Sequence, residues 1–315
     1  SLFEKYNIDV CIGAVPSFLQ YKVTEAASQY GNCHYFDLGA SQECLDQQKG
    51  LGETFRQNQK VVMPFCGFDP GMLNMLLLSC VKHIDCDEIK VYVGGIAETK
   101  PENRFVHYWT FNPESTLETY RGNVSAIQNS KLVTVNPLEG YVNLNIGLHY
   151  YEAFFTNCGN KEVMEYISKT ATHLKTCEIK TARHVGHWNM ARFLAENGFL
   201  ENKMLSIIAE QLTTSVPFAE NDIAFLEMRF LKKEKKIGSI SWMEKGSQKT
   251  TTAMQKVTAK SAALTIFFVL AYSSLPPLSG FMMPEILASK VLHLTPKKII
   301  EGMQGIGLSI SSTLP

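Results

Sequence analysis

Excess charge of either sign is missing from this 315-residue chain: 30 Lys and Arg stand against 30 Asp and Glu. That balance leaves no electrostatic footprint for nucleic acid or an anionic membrane surface, so recognition has to be local. The eight cysteines (11, 33, 44, 66, 80, 86, 158 and 177) form no C-x-x-C pair and are too sparse for a disulfide scaffold. Reduced thiols in a cytosolic, cytoplasmic protein are the expectation. No apolar run reaches the roughly 20 residues that a bilayer-spanning helix needs. The most apolar one, Ala262–Tyr272, is expected as a buried helix. No charged and apolar leader stands at Ser1, so no secretory signal is visible. Internal repeats and low-complexity segments are lacking too. No G-x-G-x-x-G phosphate turn occurs ahead of residue 60, although strand and helix patterns alternate there.

At 45% hydrophobic content the chain is globular and long enough for two domains with their own cores. Ile8–Pro16 reads as a buried strand ending in a Pro turn, Ser17–Tyr30 as a helix closed by Gly31. Cys33–Leu38 is a second strand, ending at an acid, and Val61–Cys66 a third. Continuous apolar strands separated by helices indicate a parallel, doubly covered α/β sheet. From about Ile89 the texture changes to an α+β pattern with a mixed sheet, over Val91–Gly95, Lys131–Val135, Tyr151–Phe155, Cys177–Arg183, Ile223–Leu231 and Ile237–Trp242. A helical pattern at Trp188–Glu196 stops at Asn197-Gly198. The basic run Lys232–Lys236 lies between two strand patterns and is expected as a solvated hairpin loop. The chain thus divides into residues 1–88, with 250–290 packing back as an apolar helix broken at Pro276-Pro277, then 89–249, then a tail, 291–315.

The stretch from Lys60 to Leu76 carries the densest chemical signal. An apolar strand enters a tight loop and the loop opens into an amphipathic helix, the place where open α/β sheets put their ligands. Pro70 suits a first helical turn, Gly67 and Gly71 allow backbone to approach a ligand, and Asp69 would stand at the mouth. Cys66 just before the loop reads as a small buried hydrophobe unless a positive environment makes it a thiolate. Cys80, His83 and Cys86 would fan over about 120° of a helix, and His184-x-x-His187 lacks an acid at ligand spacing. No metal is expected. Thr181–Trp188 is a strand end, a Gly turn and a helix start. Arg183 there could clamp a carboxylate bidentately and His187 could titrate near neutrality. The other reading pairs Arg183 with a structural acid and makes His187 a helix cap. Glu114, in the first turn of a helix after Asn112-Pro113, is either stabilised there by the helix dipole or holds an ammonium.

Four segments resemble one family: Cys66–Gly71, Trp109–Tyr120 with Asn112-Pro113-Glu114, Lys180–His187, and Thr252-Ala253-Met254-Gln255. Together they are similar to the saccharopine dehydrogenase family of the glutamate-forming, saccharopine reductase type, with its lysine 6-dehydrogenase-like members. The resemblance implies an NAD- or NADP-dependent oxidoreductase acting on the C–N bond of a saccharopine- or lysine-like amino acid. Hydride leaves the carbon bearing the amine and water hydrolyses the imine, or the reverse reaction runs. It also implies a Rossmann domain, a mixed-sheet domain building the substrate site, and a homodimer. Carried onto this sequence, Val15-Pro16, Asp37-Leu38 and the Cys66–Gly71 loop, with Gly67 and Gly71, would line the nicotinamide half. Cys66, Asp69, Glu114, Arg183 and His187 would serve the substrate, Asp69 for the amine and its proton and Arg183 for the carboxylate.

The chain also departs from that family. Members start with a strand and a G-x-G-x-x-G turn, and Ser1–Tyr6 resembles the segment before the fourth strand, which leaves roughly 60 to 70 residues outside this chain. Glu114 stands where saccharopine reductases favour Arg and the lysine 6-dehydrogenase-like group has Pro-Glu. Ala182 and His184-Val185 replace the usual Leu and Tyr-Pro around the Arg. A non-catalytic scaffold or dimerisation relative and a carboxynorspermidine dehydrogenase-like enzyme stay open beside the first reading.

Overall fold

Three short runs, Val10–Gly13, His34–Asp37 and Val61–Met63, lie side by side as parallel strands, with Cys11 paired to Tyr35 and Tyr35 to Val62. Parallel sheets are usually covered on both faces, and Tyr35, Phe36, Val61, Val62 and Met63 are fully buried, but the first strand, expected as buried, has Ile12 half exposed. The helix Ser17–Tyr30 makes the first crossover. A fourth parallel strand, Gly280–Phe281, joins beside Val61 and Val62 from far along the chain. The computed structural model describes residues 2–39, 41–272, 278–291 and 293–314. The expected break at Pro276-Pro277 lies outside the described residues.

The chain forms two compact units, residues 1–83 with 258–306, and residues 84–257 with 307–315. The segment expected as a tail is divided between them. Its helix Pro296–Gly305 belongs to the first unit, and its strand Ile310–Thr313 pairs with Ser239–Trp242 in the second. The reason is apolar content: Ile299, Ile300 and Met303 are buried.

The second unit is built on a nine-stranded mixed sheet. Glu88–Ala97 runs parallel to Thr176–His184 on one side and antiparallel to Asn221–Lys232 on the other. The latter pairs with Lys235–Ser247 as a long hairpin, and the basic run is its turn, with Lys233 and Glu234 at φ 50° and 65°. Two successive positive φ values match the right-handed twist of the flanking strands. The hairpin His149–Phe154 with Val142–Ile146 adds to the far end of Thr176–His184. A core of Phe105, Trp109, Leu117, Tyr120, Leu138, Phe154, Ala191 and Leu205 packs beside these strands.

The apolar run near residue 262 is part of a longer helix than expected, Ala253–Tyr272, with 20 residues. By length and composition alone it could cross a bilayer, yet half of its apolar window is buried inside the protein, as in a core helix. Its start explains the Thr252–Gln255 motif. Thr252 Oγ1 accepts from Gln255 N at 3.2 Å while Gln255 Oε1 accepts from Thr252 N at 3.0 Å, a reciprocal capping box. Buried Asp222 accepts from Ala253 N and Met254 N as well, at 2.8 and 3.3 Å.

Candidate functional site

In the second unit the strand Thr176–His184 carries Arg183 at its carboxyl end, directly opposite Glu152 on the antiparallel neighbour. Gly186 turns the chain with φ 110°, and the helix His187–Glu196 begins. Glu152 is buried, and its carboxylate accepts from Gly186 N at 3.0 Å and from Trp188 N. It is therefore the cap of that helix, where the dipole favours a negative charge. His187 is not the cap.

Arg183 is 3% exposed. Its Nε donates to Tyr120 Oη at 3.2 Å and its Nη1 to Ala182 O at 3.1 Å. Among the described residues no carboxylate oxygen lies within the 4.0 Å of an ion pair, so the structural-acid reading falls away. A buried guanidinium without a counter-ion costs several kcal/mol by general experience.

Tyr120 ends the short turn that follows the helix Pro113–Glu118, itself capped by Asn112 on Ser115 N. Its hydroxyl lies 2.9 Å from His187 Nε2, and His187 Nδ1 lies 2.9 Å from Phe105 O. His187 is wholly buried, and burial first, then the Arg183 charge, pushes its pKa down to about 3. The expectation that it titrates near neutrality is thus corrected. His107 lies with its ring centre 4.9 Å from that of His187 and 5.0 Å from that of Trp109. Its Nε2 is buried without a partner, and burial, His187 and Arg183 hold its pKa well below the ordinary value. Burial pushes the Tyr120 hydroxyl up, opposed by Arg183. Arg183 is the one cation of this cluster, and its remaining Nη hydrogens suit a carboxylate.

Glu114 stands apart on the exposed face of its helix, where its carboxylate accepts from Ser206 Oγ at 2.6 Å.

The remaining expected residues lie in the first unit. The Asp37 carboxylate is buried and accepts from Gly39 N, Phe65 N and Gln48 Nε2 at 2.9, 3.3 and 2.5 Å. Its side chain ties the strand end to the Cys66 loop. Cys66 is also corrected as a substrate contact: it is wholly buried, its thiol donates to Met63 O at 3.2 Å, and burial pushes its pKa well up. Asp69 is half-buried in a kinked turn, Phe68–Met72, and the helix opens at Leu73, later than Pro70 suggested. The kink needs Gly71, whose φ is 123° and where a Cβ would sit 2.3 Å from Phe65 O. At Gly67 a Cβ would meet only ordinary contacts at 3.6 Å. Val15 is half-buried and Pro16 exposed. Val15 O accepts from Gln20 Nε2 at 3.1 Å, while Gln20 Oε1 is buried without a partner.

Sequence reasoning missed Tyr120, His107, Glu152 and Gln20. Only Glu152 left a signal, as a lone acid inside an otherwise apolar strand. Among the described residues no three His, Cys, Asp or Glu side chains group to hold a metal.

Comparison with known proteins places these observations. Residues 67–307 match the family model of the saccharopine dehydrogenase C-terminal domain. No curated protein matches in sequence. The apo histidine-tagged saccharopine dehydrogenase (L-Glu forming) from Saccharomyces cerevisiae shares the fold with a TM-score of 0.73 at 12% identity, covering 97% of this chain and 85% of that one. The C. glutamicum DAP dehydrogenase in complex with DAP aligns over 90% of this chain and 78% of its own, with 9% identity and a TM-score of 0.42.

Proposed function

This chain belongs to the saccharopine dehydrogenase family through its C-terminal domain, and from that premise we propose an oxidoreductase that acts on the CH–NH bond of a saccharopine- or lysine-like amino acid. The observation that carries the reading is Arg183, a buried cation for which the described residues supply no anion. A substrate carboxylate would complete it by a charge-assisted fork.

The residues of the first unit fit the nicotinamide half of NAD or NADP. The turn at Val15-Pro16, the strand end at Asp37-Leu38 and the Cys66–Gly71 loop all follow the carboxyl ends of parallel strands, the ligand side of such sheets. The buried Gln20 Oε1 beside Val15 is an acceptor awaiting an N–H. The glycine turn that cradles a pyrophosphate is not in this sequence, so the fit extends to that half. When bound, the nicotinamide would take hydride from, or return it to, the carbon bearing the amine.

The rest falls to side chains. Arg183 orients the substrate by its carboxylate. Glu114, at the surface with Ser206, is left as a contact of the helix end. Reduction of NAD or NADP followed at 340 nm with L-lysine and L-saccharopine tests the reading. Turnover that Arg183→Met weakens at least roughly ten-fold in kcat/KM supports it. Equal turnover by the wild type and Arg183→Met would sink it.

A further inference from the structure

Donors and acceptors around Arg183 can be assigned one way only. The Phe105 carbonyl can only accept, so the His187 proton sits on Nδ1 and is donated to it at 2.9 Å. The Arg183 Nε–H can only donate, so the Tyr120 oxygen accepts from it at 3.2 Å. One bond remains, Tyr120 Oη to His187 Nε2 at 2.9 Å. A neutral His187 leaves Nε2 bare, and the tyrosine O–H must donate to it. The chain therefore runs Arg183 to Tyr120 to His187 to the Phe105 carbonyl. All of its members are buried.

We propose that Tyr120 and His187 are positioning residues, which grip Arg183 by its Nε and leave only its Nη end to fork onto the substrate carboxylate. With Nε bonded to Tyr120 and one Nη1 hydrogen on Ala182 O, the hydrogens left over are on Nη1 and Nη2, the pair that matches two carboxylate oxygens end-on. Among the described residues, His107, His184, Glu152 and Cys158 are titratable groups beside the chain. His107 packs against His187 with a partnerless Nε2, His184 bonds Ala97 O at 2.9 Å, and Glu152 caps the following helix. A second proton on His187 would put a donor against the Tyr120 oxygen and a charge beside Arg183, which burial opposes.

The inference rests on the carboxylate reading of Arg183, and the experiment separates the two. The full chain is titrated with L-lysine and with L-lysinamide, which differ only at the carboxylate, and 15N spectra of the His187 ring are recorded at pH 7. Wild type should bind lysine at least roughly ten-fold tighter than the amide, and Arg183→Met should abolish that preference. Tyr120→Phe should lower lysine affinity roughly ten-fold and leave the amide unchanged, a split that general loosening of the fold would not produce. His187→Leu should behave like Tyr120→Phe, and His187→Gln, which restores an acceptor near the Nε2 position, should recover most of the affinity. The His187 ring should show a bare Nε2 and a protonated Nδ1, a readout that needs no variant. If wild type has no preference for lysine, the carboxylate reading fails and takes this one with it. If Arg183→Met loses the preference while Tyr120→Phe keeps it, or if Nε2 is protonated, the positioning role alone is overturned.

Discussion

Arg183 is held where an unfolded chain would never hold it, and that has a measurable cost. Replacing a lone buried charge with an apolar side chain of similar length relieves desolvation, so Arg183→Met should raise stability by about 1 kcal/mol in urea melts even as it removes carboxylate preference. A loss of similar size would mean that the cation has a partner in the folded chain. His187 makes the matching statement in pH. Unfolded it titrates near 6.5, folded near 3, so between those values the unfolded chain holds the extra proton. Its contribution is complete above about pH 6.5 and declines as pH falls toward about 3, by at most about 1.4 kcal/mol per unit. The depressed His107 and His184 act in the same direction. The raised carboxyls of Asp37, Glu152 and Asp222 act oppositely. His187→Gln isolates the one term: its stability deficit against wild type should shrink between pH 7.5 and 5.0, and a deficit constant with pH would contradict the assignment.

Helix ends do much of the placing in this fold. Glu152 fixes where His187–Glu196 begins and so where His187 points, and the Thr252–Gln255 box with Asp222 does the same for Ala253–Tyr272. Thr252→Ala should cost about 1 kcal/mol. Gly246→Ala should cost more, about 1 to 3 kcal/mol, because its Cβ would sit 1.9 Å from Ala253 N, a backbone atom that cannot step aside. Chemical denaturation of the two variants checks the order, and a silent Gly246→Ala would show that the helix start yields freely. Gly71→Ala combines a φ of 123° with a 2.3 Å approach to Phe65 O and belongs with the severe changes.

Over the full chain, opposite charges cancel at neutral pH. Self-repulsion is then weakest, so light scattering of concentrated protein should be highest near pH 7 and fall on either side. Scattering that rises steadily toward acid instead would implicate unfolding through the histidines. The two units also differ in how their strands are covered. The parallel sheet of the first is short, buried at Tyr35, Phe36 and Val61–Met63 but half exposed at Ile12 on its first strand, while the second rests on strands of up to 13 residues that mix buried and half-exposed positions.

Helix Ser17–Tyr30, strand Lys131–Val135 and the hairpin at Lys232–Lys236 were legible from residues alone, because periodicity and turn chemistry act between near neighbours. The parallel-then-mixed organisation and the place of Arg183 at a strand end were legible for the same reason. The partners of Arg183 were not. Tyr120 is 63 residues away from it and 67 from His187, and no local pattern marks a tyrosine after a short helix. The states of Asp37 and His187 were equally hidden, since a carboxylate and an imidazole look reactive in a sequence until burial removes the water that stabilises their charged forms. Local order follows from side chains a turn or two apart. Charge, protonation and the direction of a hydrogen-bond chain follow from which distant groups the packed sheet brings together, and from how little solvent it leaves between them.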